Sequence, residues 1–392
     1  MTRPDPSGSG MHLQKNTSRL KQLLHLHQSE PPLLVLGPLS VIWVGVLYLA
    51  FTIQPLSGDL TRLGGYSEQD FGWNGVEEYF APPLAHAGNL SGKYDIVIIG
   101  DSFSSRTTPD RQAPLGSFWT DFLAARSGLA IGVFDMNKHP LNQFLMSDSY
   151  LSTPPKVVIY ETVERALELN LSQPQGTCPL PRDPTRIAIN TYPLQKIARH
   201  FRRDVWPRLN EAQFDQAINY LKKTFSRLVL HKNDTPVVRL PLSRSDLFSN
   251  RRSHELLLIN QDLTKSRWSS EEWSRFVCNL RQMRDAVEAN KRTQFLVMVI
   301  PDKATIYSRY LPQHIQIING SAILAANSDL PLARLDMVLK NAVDAEIKDV
   351  YLPNDTHWGT VASRIAAIAI VSYLSGGSSP PEMTLRPEVY PR

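Results

Sequence analysis

Four short apolar runs constrain this chain more than any other feature: IVIIG at 96–100, LAIGVF at 129–134, VVIY at 157–160 and FLVMVI at 295–300. None alternates apolar with polar residues, as a strand with one wet face would. Unbroken runs of this length fit strands buried on both faces of a parallel sheet. Helical spacing separates the first two: Phe118, Phe122 and Leu123 fall on one face of LGSFWTDFLAARSG, and Gly128 is a stop signal. A last helix before residue 375 has Val361, Ile365 and Ile368 on one face. Strand–helix–strand alternation of this kind predicts the α/β class, as a three-layer, doubly wound parallel sheet. The middle of the chain, 172–292, breaks the rhythm. It is rich in Arg, Leu and Asn with helix-like pieces, one of them opening on a capping signature at Ser270–Glu272. It reads as a helical insertion.

A second feature lies ahead of the sheet. Pro31 to Leu56 contains no charged residue and is long enough to span a bilayer, which takes about 20 apolar residues. Its end offers no small-x-small cleavage signal, so an uncleaved anchor over 32–54 is expected rather than a signal peptide. Arg3, Lys15, Arg19 and Lys21 precede it, while Asp59, Glu68 and Asp70 follow with only Arg62. The positive-inside rule then places residues 1–31 in the cytoplasm and the rest outside, on the periplasmic side of an inner membrane in a Gram-negative cell. Residues 55–92 read as an irregular stem, 93–374 as the exported domain, and 375–392, rich in Ser, Gly and Pro, as a flexible tail. Both cysteines, Cys178 and Cys278, fall in the exported part, where they either pair or remain buried thiols. The net charge of +5 is scattered, which argues against nucleic acid as a partner.

Two motifs carry chemistry. YDIVIIGDSFSS puts Ser102 just beyond the first strand, after a Gly-Asp pair. YLPNDTHWG puts Asp355 and His357 two residues apart, ahead of the last helix. A serine needs a base to take its proton, and His supplies one near neutral pH. A carboxylate then fixes the imidazole tautomer and stabilises the imidazolium. On a parallel sheet both motifs would reach the carboxyl edge of the strands, where such sheets bind ligands. Asp101 suits a turn-forming hydrogen bond better than the role of acid. No third His or Cys stands at metal-ligand spacing, and no metal or cofactor is expected.

These motifs resemble the SGNH hydrolase superfamily, with Ser102 as nucleophile, His357 as base and Asp355 as acid. PDKATIY at 301–307, DTHW at 355–358 and ETVER at 161–165 resemble the exported SGNH-like domain of the alginate O-acetyltransferases and related polysaccharide acetylation proteins. In those proteins the DTHW segment precedes the serine; here it follows, a permuted order. The resemblance implies an extracytoplasmic O-acetyltransferase that forms an acetyl-serine and acetylates an exopolysaccharide or other envelope glycan. It also implies a membrane-bound O-acyltransferase partner that supplies the acetyl group. An anchored acetylesterase with the same triad, or a non-catalytic glycan-binding scaffold, are the alternatives. For oxyanion or substrate binding, the second strand exit offers Asn137 and Asn142, and the resembling segments offer Glu161, Arg165, Lys303, Tyr307 and Trp358. Glu161 and Arg165 read equally well as a strand-end ion pair, and Lys303 and Tyr307 as parts of a turn.

Overall fold

The computed structural model describes residues 33–54, 56–105, 113–173, 176–183, 187–202, 211–326 and 329–376. The N-terminal residues read as cytoplasmic and the tail from 377 lie outside them. The central sheet has six strands: β1 (His86–Ala87), β2 (Ile96–Gly100), β3 (Ile131–Asp135), β4 (Val157–Val163), β5 (Gln294–Ile300) and β6 (Leu332–Ala333). Their order is β6-β5-β4-β2-β3-β1 and every pairing is parallel. The chain winds outward from β2 to β3, then back across to β4, so the topological switch lies between β2 and β4. The four apolar runs are β2 to β5, as their composition requires.

Side-chain alternation along the strands feeds two cores. Ile96 and Ile98 of β2, Ile159 of β4 and Met298 of β5 point to one side, and Val97, Ile99, Val158 and Val297 to the other. All eight are fully buried, and each such side chain contributes about 1.5–3 kcal/mol relative to exposure. Among the helices are α1 (Leu33–Thr52), α2 (Asp59–Gly64), α3 (Trp119–Ser127), α4 (Glu211–Leu228), α5 (Ser270–Glu288), α6 (Leu335–Asp344) and α7 (Thr360–Leu374). Trp119 and Phe122 of α3, Leu339 of α6 and Ile365 of α7 cover the first face. Phe276 and Leu280 of α5 cover the second. Gly128 ends α3 in the left-handed region at φ 67°, the conformation that favours glycine.

Segment 172–292 is more varied than a helical insertion. It holds α4, an antiparallel pair (Val237–Pro241 with Glu255–Ile259) and α5, which is itself one layer of the sheet domain. The N-cap of α5 is Ser269 rather than Ser270. Its hydroxyl accepts from the Glu272 N–H while Glu272 accepts from the Ser269 N–H. The stretch expected to be an irregular stem forms α2, a second short helix at Glu68–Phe71, and a strand, Glu77–Tyr79, paired with Arg199–Phe201. The uncharged stretch near the N-terminus is helical as α1. Side chains are described only from Gly37 onward, and among the described residues no helix is long and apolar enough to cross a membrane. Cys178 and Cys278 are free, the first exposed and the second buried.

A buried ionic cluster ties the segment after the antiparallel pair to the strand ends. Lys265 Nζ donates to Glu164, to Asp302 and to Thr305, and Arg165 pairs with Asp302 at 3.1 Å. Burial pushes the nearby Asp262 carboxyl up to about 7, Asp302 adding to the effect and Arg165 opposing it. Removing one partner from such a cluster leaves uncompensated buried charge, a loss of about 3–5 kcal/mol. Lys265→Met should therefore lower the thermal midpoint markedly, measured by calorimetry on the full chain. An unchanged midpoint would show that the cluster does not hold the fold.

Candidate active site

Ser102 stands two residues beyond β2, in a turn that its neighbours build. Glu161 of β4 lies beside Gly100, one step past the Ile99–Tyr160 register pair. Its Oε2 accepts from the Asp101 N–H at 2.9 Å and from the Ser104 hydroxyl at 2.7 Å. A Cβ on residue 100 would come within 2.4 Å of that oxygen, so the turn needs a glycine there. Burial first, and then the charge of Asp101, push the Glu161 carboxyl well above the usual carboxylate range. Trp119 Nε1 donates to Ser104 at 3.1 Å. Asp101 caps the turn by accepting from the Phe103 N–H at 2.9 Å, the local role its position suggested. With the Asp101 and Phe103 amides taken, the Ser102 N–H has no partner among the described residues.

His357 and Asp355 arrive on the loop ahead of α7. An antiparallel bridge between Tyr351 and Trp358 closes that loop, and the Leu352 N–H donates to the His357 carbonyl at 3.1 Å. Lys303 Nζ, buried beneath it, donates to the carbonyls of Leu352, Pro353 and Asp355 at 2.7, 3.1 and 3.2 Å. Burial pushes this ammonium down to about 8, while Asp59 and Asp355 resist.

The relay is continuous. Ser102 Oγ lies 2.8 Å from His357 Nε2, and His357 Nδ1 lies 2.7 Å from Asp355 Oδ1. With Nδ1–H directed at the carboxylate, Nε2 is the acceptor for the serine proton. Burial favours the neutral imidazole, yet Asp355 and then Asp59 outweigh it and hold His357 above its ordinary value of 6.5. Burial likewise favours neutral Asp355, but the hydrogen bond and charge of His357 hold it far below its ordinary value. Asp59, Asp355 and His357 lie close enough to suggest a cation site. Both ring nitrogens are already engaged in the relay, however, which suits proton transfer.

Asp59 is the member that sequence reasoning missed. Its N–H donates to Asp355 Oδ2 at 3.1 Å, and its carboxylate accepts from the N–H (2.7 Å) and hydroxyl of Thr356. Its Oδ2 lies 3.9 Å from His357 Nδ1. Next to it the Leu60 and Thr61 amides at the start of α2 donate to the Asn354 carbonyl, and Glu68 accepts from Asn354 Nδ2 at 2.8 Å. The first turn of α2 thus holds the loop that carries Asp355 and His357 from a position 296 residues away in sequence. In the sequence, Asp59 stood only as a flanking charge, and no motif marks it.

The structure brings together Ser102, His357, Asp355 and Trp358, which line one pocket with Phe103, Phe118 and Leu352. Trp358 packs edge-on against Phe103 at 5.1 Å. It does not bring the other candidates to that pocket. Asn137 and Asn142 are exposed, and the latter accepts from the Gln143 N–H. Glu161 is sealed beneath the turn, and Arg165 is held by Asp302 and Asp262. Lys303 lies behind the loop rather than in the pocket. Tyr307 is fully buried, accepting from the Tyr351 N–H at 3.3 Å. Apart from Trp358, then, the candidates from the resembling segments support the site and do not line it.

Residues 257–388 match the family described as SGNH hydrolase-like domain, acetyltransferase AlgX. The match covers roughly a third of the chain. It contains Lys303, Tyr307, Asp355, His357 and Trp358, and it begins after Ser102, Glu161 and Arg165. The AlgX-like stretch thus contains Asp355 and His357, while Ser102 lies ahead of it. No curated protein and no solved structure matches the chain.

If His357 must be neutral to act, the acid limb of kcat/KM on an activated acetyl ester lies above pH 6.5, the direction of its shift. Asp59→Asn removes a negative charge that favours the imidazolium. The limb should move to lower pH, and kcat/KM should fall by roughly tenfold, about 1.4 kcal/mol. A loss of rate with an unmoved limb would reduce Asp59 to a packing role.

Proposed function

We propose that this chain is a membrane-anchored, extracytoplasmic O-acetyltransferase that moves acetyl onto hydroxyls of an envelope glycan such as an exopolysaccharide. The observation that carries the reading is the aligned Ser102–His357–Asp355 relay, two members of which fall inside the AlgX acetyltransferase match. In the first half-reaction His357 Nε2 takes the Ser102 proton as Oγ bonds to the carbonyl carbon of an acetyl donor. The oxyanion is received by the Ser102 N–H. Collapse breaks the bond to the donor oxygen or sulfur, which leaves with the proton from His357. In the second half-reaction His357 takes the proton of a sugar hydroxyl, which attacks the acetyl-serine. Ser102 Oγ departs and recovers that proton.

Topology supports the anchor and the partner in this proposal. By sequence, the uncharged run from Pro31 to Leu56 is long enough for an anchor. Val41, Val44 and Tyr48 on it are exposed. Only six residues separate Thr52 from Asp59, so the relay lies close to the end of α1. A membrane-bound O-acyltransferase is the partner that would deliver acetyl to a site so placed.

The test is to incubate the full chain, in detergent, with an activated acetyl ester, with and without oligosaccharide acceptors, and to follow acetylated sugar by mass spectrometry. Acetyl-sugar formed by the parent and lost in Ser102→Ala is expected. Ester release to water that sugar does not divert would instead identify an acetylesterase. An inert parent chain would point to a scaffold.

A further inference from the structure

Helix α4 is amphipathic in the wrong sense for a helix that docks on a soluble domain. Its polar, basic side faces the protein: Lys223 Nζ donates to the Arg62 and Leu63 carbonyls, and Arg227 donates to those of Gly64 and Gly65 while stacking over Tyr66 at 4.4 Å. These bonds satisfy carbonyls at the C-terminal end of α2, where cations are favourable. The apolar side faces out. Ile218, Leu221, Phe225 and Leu228 recur at helical spacing on one stripe, and Val229 and Leu230 extend it; Phe225 is 56% and Leu228 71% exposed. A helix normally turns such a stripe to the core.

The N-terminal part of the same stripe is covered, and by α1. Phe214 and Ala217 pack against Val46, Leu49 and Ala50. Gln213 Nε2 donates to the Ile53 carbonyl at 2.8 Å, and Gln216 accepts from the Leu56 N–H at 3.1 Å. The exposed stripe therefore continues directly from the C-terminal end of the uncharged helix. Between 216 and 233 the chain carries Lys222, Lys223, Arg227 and Lys232 and no acid, with Lys222 and Lys232 exposed. Outward apolar residues flanked by cations and continuous with an apolar helix match a segment lying in a lipid interface, where anionic head groups attract the lysines.

We infer that the exposed face of α4, from Ile218 to Leu230, is a membrane-docking surface that seats in the interface of an anionic bilayer beside α1. This rests on the membrane anchoring proposed above and adds a second contact. With two contacts the domain is held at a fixed orientation to the bilayer, rather than swinging on the short connection after α1. Through the Lys223 and Arg227 bonds that orientation is passed to α2, whose first turn holds the catalytic loop.

The experiment places an environment-sensitive fluorophore on the full chain, in a Cys178→Ser, Cys278→Ala background, reconstituted in phosphatidylcholine–phosphatidylglycerol vesicles that carry a head-group nitroxide lipid. Leu228→Cys tests the surface, Tyr48→Cys reports the anchor, and Leu169→Cys, 83% exposed on another part of the domain, is the solvent control. All three positions are exposed, so the substitutions leave the core intact. The expected result is a blue shift and strong nitroxide quenching at 228 as well as at 48, with neither at 169. Quenching at 48 without quenching at 228 overturns the docking surface and leaves the anchor standing. Absence of quenching at both overturns the anchor and this inference together. A label at 228 that becomes shielded only when a second membrane protein is added assigns the face to that protein and overturns the lipid assignment.

Discussion

Asp355 is buried, and burial alone would drive its carboxyl to the neutral form. Three hydrogen bonds reverse that: from His357 Nδ1, from the His357 backbone N–H at 3.0 Å and from the Asp59 N–H. The ionised carboxylate fixes the imidazole tautomer, which leaves Nε2 free to accept the Ser102 proton. A protonated Asp355 would supply neither the tautomer nor the charge that stabilises an imidazolium. The rest of the site can be understood as what keeps this one buried charge in place.

That support comes from three remote stretches. Lys303, just beyond β5, ties down the loop carbonyls from below. The start of α2 holds Asp355 and Asn354 from the side. Glu161 of β4 shapes the turn on which the serine rides, and it does so because β2 and β4 are neighbours at the switch point of the sheet. Ser102 lies just beyond the carboxyl end of β2, and these supports hold His357, 255 residues away in sequence, at hydrogen-bond distance from it. The permuted order of motifs is no obstacle, since a triad depends on geometry and not on chain order.

Much of this was legible in the sequence, for identifiable reasons. The strands of the central sheet are buried on both faces, so their apolar runs are unbroken and stand out. Ser102, Asp355 and His357 sit in short motifs whose chemistry is local. Asp59 was not legible, because its role is created by a contact between distant segments and its own surroundings look like a linker. Glu161 and Lys303 resemble family segments, and the sequence reads each equally as a substrate contact or as part of a strand-end pair or turn. Burial, which a motif does not reveal, turns both into supports. Asn137 and Asn142 are candidates by residue type at a strand exit alone, and both are exposed away from the pocket lining. The role of α5 was hidden in a different way, since its charged outer face resembles that of an insertion while its inner stripe fits the sheet.

The central claim is that Ser102 is activated by His357 across the two halves of the chain. It is tested most directly by treating the full chain with a fluorophosphonate and mapping the adduct by peptide mass spectrometry. The account predicts a single adduct on Ser102, with labelling abolished in His357→Ala. An adduct on another serine, or labelling of Ser102 undiminished without His357, would contradict it.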